Sequence, residues 1–259
     1  MTQTIAFAGK GGTGKTTICG VLVDYLAKNH KGPILAVDAD ANSNLNEVLG
    51  VEVEKTLGEI REIVAHAELA ETSPIPSGVS KQDWAQYQFN SALLELDDYD
   101  LLVMGRTQGQ GCYCYVNGLL KTQITQYAKN YRYVIVDNEA GLEHISRGVL
   151  PKVDILLLVS DCSRRGIQAA GRLKVMVDEL GLKPSMVKLI VNRAPSGDAA
   201  ALEAGILEEI ALQKLDLIGV VPTDESVYRA DAEGCPTVEL PADTPMKQAV
   251  QALIDTLDL

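Results

Sequence analysis

Short apolar runs recur along the chain at Thr4–Ala8, Pro33–Val37, Leu101–Met104, Tyr133–Val136, Ile155–Val159, Val187–Val191 and Leu217–Val221. Each is shorter than a typical helix and nearly continuous rather than alternating, which predicts strands buried on both faces. Between most of them the apolar positions take helical spacing, first from Thr17 to about Ala27. This alternation predicts a single-domain α/β fold: a mostly parallel twisted β-sheet with helices on both faces. The stretch from about Thr56 to Asp98 breaks the rhythm. It is polar, contains Pro74, Pro76 and Gly78, and holds the sole tryptophan, Trp84. It reads as an insertion of helices and loop at about 56–98, with Trp84 and Phe89 packed onto the sheet in preference to a partner surface. Pro245 to Leu259 predicts a closing amphipathic helix whose polar side is acidic.

At 259 residues and 46% hydrophobic, the chain is long enough for one large domain with a well-buried core. A net charge of −12 opposes non-specific binding of nucleic acid or anionic membrane, and no basic run offsets it. No apolar run approaches the roughly 20 residues that span a bilayer. No leader pattern precedes the first strand, so the expected location is cytoplasmic. Five cysteines, Cys19, Cys112, Cys114, Cys162 and Cys235, are too scattered for a disulfide framework. Cys19 reads as a core residue, and Cys162 and Cys235 receive no function.

Directly after the first strand comes Gly9-Lys10-Gly11-Gly12-Thr13-Gly14-Lys15-Thr16-Thr17, followed at once by the helical pattern. Strand, glycine loop and helix in that order are the setting a phosphate-binding loop requires. Glycines let successive N–H groups turn inward around an anion, and the helix presents its positive end to it. The chemistry assigns Lys15 to the β- and γ-phosphates of a bound nucleotide and the Thr16 hydroxyl to Mg²⁺.

The extra lysine, Lys10, makes the loop resemble the deviant Walker-A P-loop NTPase family. That family includes the septum-site and plasmid-partition ATPases, the nitrogenase iron protein, the arsenite pump ATPase and several metallocentre-maturation ATPases. The resemblance implies ATP hydrolysis to ADP and phosphate, and a homodimer in which Lys10 reaches the partner's nucleotide. Val37-Asp38-Ala39-Asp40 puts two acids at the carboxyl edge of the sheet. The resemblance implies that Asp38 supports the Mg²⁺ shell and Asp40 orients the attacking water, with the division between the two open. Tyr133-Val134-Ile135-Val136-Asp137 has the Walker-B pattern, an apolar strand ending in an acid that holds Mg²⁺. Gly141 stands where relatives sense the γ-phosphate, although Asp137-Asn138-Glu139-Ala140-Gly141 departs from their Asp-x-Pro-Pro-Gly and leaves Glu139 open. Asn192, Pro222 and Asp224 match the positions where relatives bind adenine. The guanine signature is altered to Asn192-Arg193-Ala194-Pro195, which favours ATP over GTP.

Between the third long strand and a helical pattern from Val116 to about Ala128 lies a glycine-rich loop, Gly105 to Tyr115, with Cys112 and Cys114 at its far end. Cysteines one residue apart make a strained disulfide but suit one soft metal ion. A closed tetrahedral site needs four ligands, and here one chain offers two. In the implied homodimer, Cys112 and Cys114 of both subunits complete a four-thiolate cage. With Gly111-Cys112-Tyr113-Cys114 added, the resemblance narrows to the nickel-insertion ATPases that mature carbon monoxide dehydrogenase and acetyl-CoA synthase. It implies Ni²⁺ as cargo, with Zn²⁺ able to substitute, and such a nickel enzyme as client. Two other readings remain. A spatial-organising or partition-type ATPase explains Lys10 but not the cysteines. An ATP-gated iron–sulfur electron donor is disfavoured, because no cysteine lies between Asp137 and Val149.

Overall fold

The computed structural model describes residues 2–40, 42–69, 74–106, 121–122, 124–141, 152–257 and 259. Its elements run in chain order β1 (Gln3–Gly9), α1 (Lys15–Lys28), β2 (Ile34–Ala39), α2 (Leu45–Leu49), α3 (Leu57–Leu69), α4 (Lys81–Asn90), β3 (Leu93–Glu95) and β4 (Asp100–Val103). There follow β5 (Tyr133–Asn138), β6 (Ile155–Asp161), α5 (Arg164–Glu179), β7 (Met186–Ala194), α6 (Ala204–Leu212), β8 (Leu217–Pro222), α7 (Glu225–Glu233) and α8 (Pro245–Asp255).

The strands form one sheet in the order β3-β4-β2-β5-β1-β6-β7-β8, and every pairing is parallel except β3 with β4. Residues one apart in a strand face opposite sides. Ile5 and Phe7 accordingly join one core layer, with α1, α2 and α8, while Ala6 and Ala8 join the other, with α3, α4, α5 and α6. Both faces are covered, which is why the strands read as continuous apolar runs.

The stretch at 56–98 folds as α3, α4 and the edge strand β3, and Trp84 and Phe89 are buried in the second core layer. The sequence pattern missed β3, whose Leu93-Leu94-Glu95 is short and half exposed. Thr56-Leu57-Gly58-Glu59 opens α3 as a capping box: Thr56 N–H donates to Glu59 Oε2 at 2.8 Å and Glu59 N–H to Thr56 Oγ1 at 3.3 Å. Met104, expected at a strand end, lies just past β4, where its N–H donates to the Asp38 carbonyl at 2.8 Å. Of the helix expected from Val116, turns at 121–122 and 124–128 are described. The closing helix α8 starts at Pro245, which presets the first-turn backbone, and ends at Asp255. Among the described residues no helix is long and apolar enough to cross a membrane.

Candidate nucleotide site

β1 delivers the chain to the carboxyl edge of the sheet, between β5 and β6. At Gly9 a side chain is impossible, because a Cβ would sit 2.2 Å from the Val159 carbonyl oxygen on β6. The loop then turns through Gly12 (φ 78°) and Gly14 (φ 86°), left-handed positions that glycine tolerates without strain. Two bonds fold the loop on itself: Thr13 Oγ1 donates to the Lys10 carbonyl at 2.9 Å, and Lys15 Nζ to the same oxygen at 3.4 Å. Lys15 is buried, and desolvation lowers its pKa against the raising pull of Asp137 and Asp40. Lys10, the residue before the turn, is exposed.

Asp38 and Asp137 are register partners at the ends of adjacent parallel strands, so both lie on one side of the sheet behind the loop. Their environments differ. Asp38 accepts the Asp40 N–H on Oδ1 and the Leu45 N–H on Oδ2, both at 3.0 Å. Burial pushes its carboxyl up to about 6, with those two bonds pulling the other way. Asp38 thus shapes the 40–45 loop as well as standing near the expected Mg²⁺ position. Asp40 accepts the Asn42 N–H on Oδ1 at 2.8 Å and lines the cleft. Asp137 is buried, and no backbone N–H reaches either carboxylate oxygen; the Thr16 hydroxyl is the one hydrogen-bonding group beside it among the described residues. Burial pushes its carboxyl up to about 7, partly offset by the nearby Thr16 hydroxyl and the Lys15 ammonium. A buried carboxylate with so few partners is costly by itself. Beside a threonine hydroxyl and a phosphate loop, its oxygens suit a hard divalent cation. The residues present therefore fit Mg²⁺, which Thr16 and Asp137 would hold with Asp38 behind.

Asn138, which sequence reasoning passed over, is also buried. Its Nδ2 donates to the Phe7 carbonyl at 2.9 Å and its Oδ1 has no partner, so it ties the end of β5 to β1. Gly141 comes next with φ 113°, its N–H directed at the Gly9 carbonyl across a long 3.4 Å. Ala140 lies against the loop, its Cβ 3.8 Å from where a Cβ on Gly11 would stand.

The phosphate loop opens onto a cleft of about 1330 Å³ lined by Lys15, Thr16, Asp40 and Ala140, among others. An adjoining groove of about 920 Å³ holds Asn192, Pro222 and Asp224, the expected adenine residues. Both spaces share Gly14, Thr17 and Arg193. Asn192 also braces the loop, its Nδ2 donating to the Thr13 carbonyl at 2.8 Å where Gly14 leaves room. Asp224 caps α7 by accepting the Ser226 N–H at 2.9 Å, and holds α8 by accepting the Met246 N–H at 3.1 Å. Arg193 carries no local sequence signal for a role. It is exposed, has φ 56°, and sits at the register shift between β7 and β8.

Cys112 and Cys114 lie outside the described residues, as does most of their loop. Among the described cysteines, Cys19 is buried in α1 within the core layer of Ile5 and Phe7, where desolvation raises its thiol pKa well above the usual value. Cys162 is half-buried, and Cys235 is exposed at the rim of the phosphate cleft. Among the described residues no group of three or more His, Cys, Asp or Glu is arranged to hold a metal ion.

The profile of the CobQ/CobB/MinD/ParA nucleotide binding domain (CbiA) matches residues 4–238. An ATP-binding protein of Methanocaldococcus jannaschii is 39% identical over 98% of this chain and 97% of its own. The carbon monoxide dehydrogenase accessory protein CooC of Rhodospirillum rubrum is 30% identical over 91% of this chain and 89% of its own. Among solved structures, the septum site-determining protein MinD of Pyrococcus horikoshii, complexed with Mg-ADP, superposes with a TM-score of 0.71 at 22% identity. That superposition covers 100% of this chain and 96% of the other, a likeness of fold.

Proposed function

The chain belongs to the CobQ/CobB/MinD/ParA nucleotide-binding family and is a CooC-like ATPase of the MinD/ParA type; from that premise we propose that it is a metallochaperone driven by ATP. The observation that carries the reading is the pairing of a complete ATPase edge with Gly111-Cys112-Tyr113-Cys114, in a chain 30% identical to a carbon monoxide dehydrogenase accessory protein.

In this reading Lys15 and the loop N–H groups hold the triphosphate, and Asn192, Pro222 and Asp224 hold adenine, Asp224 also fixing α7 and α8 around the base. Mg²⁺, when bound, neutralises charge on the phosphates. Asp40 orients a water whose oxygen bonds the γ-phosphorus as the bond to the ADP oxygen breaks. The exposed Lys10 crosses to the nucleotide of a second copy, and ATP clamps two subunits together. The clamp brings Cys112 and Cys114 of both copies around one Ni²⁺, the substrate of the cycle, for which Zn²⁺ substitutes. Hydrolysis removes the γ-phosphate contacts to Lys10 and Gly141. Each half is then left with two of four thiolates, and the metal is free to pass to a nickel enzyme such as carbon monoxide dehydrogenase or acetyl-CoA synthase. The single domain, with 56–98 as an accessory segment, is expected to act as one unit.

Metal titration with analytical sedimentation tests this. The expected result is one Ni²⁺ or Zn²⁺ per dimer, lost in the Cys112→Ser/Cys114→Ser variant. One ion per monomer, or binding unchanged in the variant, overturns the shared cage. Lys10→Gln is expected to abolish ATP-dependent dimerisation while leaving nucleotide binding by the monomer in place.

A further inference from the structure

Most of α7 lines the groove that holds Asn192 and Pro222, yet the helix buries only Ala230. Asp224 fixes where that helix starts. Its Oδ1 accepts the Ser226 N–H at 2.9 Å and the Ser226 hydroxyl at 2.6 Å, and its Oδ2 accepts the Met246 N–H at 3.1 Å. Tyr228 stands one turn later, its N–H directed at the Asp224 carbonyl across 3.4 Å. Residues four apart share a helix face, so the turn that sets Asp224 against the groove sets Tyr228 against it as well.

Tyr228 is 76% exposed, more than any other large hydrophobic side chain among the described residues. Among the described residues that line the groove or the phosphate cleft, it is also the one aromatic. Packing of α7 does not account for it, because Val227 and Ala230 make the contacts with the body of the protein. The charges around it select what it faces. Asp224, Glu225, Asp231 and Glu233 outnumber Arg193 and Arg229 in the groove, so phosphates are favoured at Lys15 and the neutral end of a nucleotide is favoured here. An aromatic ring at the open rim offers a planar base a stacking surface.

We propose that Tyr228 is a specificity-determining residue of the nucleotide site, its ring stacking on the solvent-facing side of the base. The proposal rests on the reading that the base lies beside Asn192 and Pro222. Stacking reads the flat face of a base and not its edge. It therefore favours a nucleotide over inorganic polyphosphate and leaves the choice between adenine and guanine to the edge contacts.

The experiment is calorimetric titration of the full chain with ADP and with inorganic tripolyphosphate, both in Mg²⁺. Tyr228→Ala should weaken ADP by about tenfold, the scale of one lost base stack, and leave tripolyphosphate within about twofold. Tyr228→Phe keeps the ring and should bind ADP within about twofold of the unaltered chain. Tyr87→Ala, which removes a tyrosine 70% exposed on α4 in the other core layer, should change neither. Tyr228→Trp supplies a direct signal: its emission should be quenched by ADP and not by tripolyphosphate, over the constant background of the buried Trp84. Unaltered ADP affinity in Tyr228→Ala overturns the proposal. So does equal weakening of tripolyphosphate, which is a structural effect, or a loss in Tyr228→Phe as large as in Tyr228→Ala, which assigns the hydroxyl and not the ring. If Tyr228→Ala fails to fold, the Phe and Trp variants decide. Photolabelling with 2-azido-ADP separates the proposal from its premise. Label on the peptide of residues 222–229 with unaltered affinity in Tyr228→Ala sinks the stack alone, whereas label only outside the groove sinks the base reading and the stack with it.

Discussion

Asp38 and Asp137 end neighbouring strands in the same register, both buried, yet one carboxylate accepts two backbone N–H groups and the other accepts none. The difference lies in the path of the chain beyond each strand. After β2 the chain folds back, and the N–H groups of Asp40 and Leu45 close on Asp38. After β5 it passes toward Gly141, with Asn138 tied to Phe7, and no N–H closes on Asp137. An acid whose hydrogen bonds are complete is a part of the loop. One held in the interior without them is stabilised only when a ligand arrives.

Breaking the open half of this pair should have the largest effect. Asp137→Asn is expected to lower ATP turnover at least about a hundredfold, since a catalytic cation supplies several kcal/mol. In EDTA the same variant should melt higher than the unaltered protein at pH 8. The folded-state pKa of Asp137 is raised above its unfolded value, so ionisation opposes folding. This penalty is absent below about pH 4, grows as pH rises toward 7, and is complete above it. The gain in melting temperature should therefore shrink as the scan is moved down through that window, and a gain that persists at pH 4 would contradict the assignment.

The closed half predicts the opposite sign. Asp38→Ala removes two buried acceptors and leaves two N–H groups without partners, so stability should fall by about 2–4 kcal/mol in chemical denaturation. Its loss should persist in EDTA, whereas the effect of Asp137→Asn on stability reverses once Mg²⁺ and nucleotide are present.

A smaller effect comes from the brace of the loop. Asn192→Ala should cost about 1 kcal/mol of stability through the lost bond to Thr13 and weaken ATP and ADP alike. If it weakens only adenine nucleotides and leaves inorganic triphosphate untouched, Asn192 is a base contact alone. A further change is expected in Mg²⁺ affinity with pH. Below about pH 7 the cation must displace a proton from Asp137, so affinity in the nucleotide complex should decline by up to tenfold per unit. A flat profile between pH 6 and 8, measured by calorimetry, would place the cation elsewhere.

Much of this site was legible in the chain. The glycines, Lys15, Thr16 and the two strand-end acids lie in short local patterns whose chemistry is fixed by spacing. Other features escaped because they depend on distant residues. The role of Asn138 comes from Phe7, 131 positions away, and the second role of Asn192 from its amide meeting Thr13, 179 positions away. Asp224 reads as a base contact in the sequence, yet its carboxylate also ties α7 to α8. The edge strand β3 was hidden because three half-exposed residues leave no periodic signal.

By itself the sequence determined the α/β order, the phosphate loop, the acids at the strand ends and the cysteine pair. These arise from periodicity and from motifs contained within a few residues. Only the tertiary structure decided which acid is closed and which is open, and that Tyr228 lines the groove of Asn192 and Pro222. Hydrogen-bond satisfaction depends on the atoms that surround a group, and those come from segments that meet only when the chain folds.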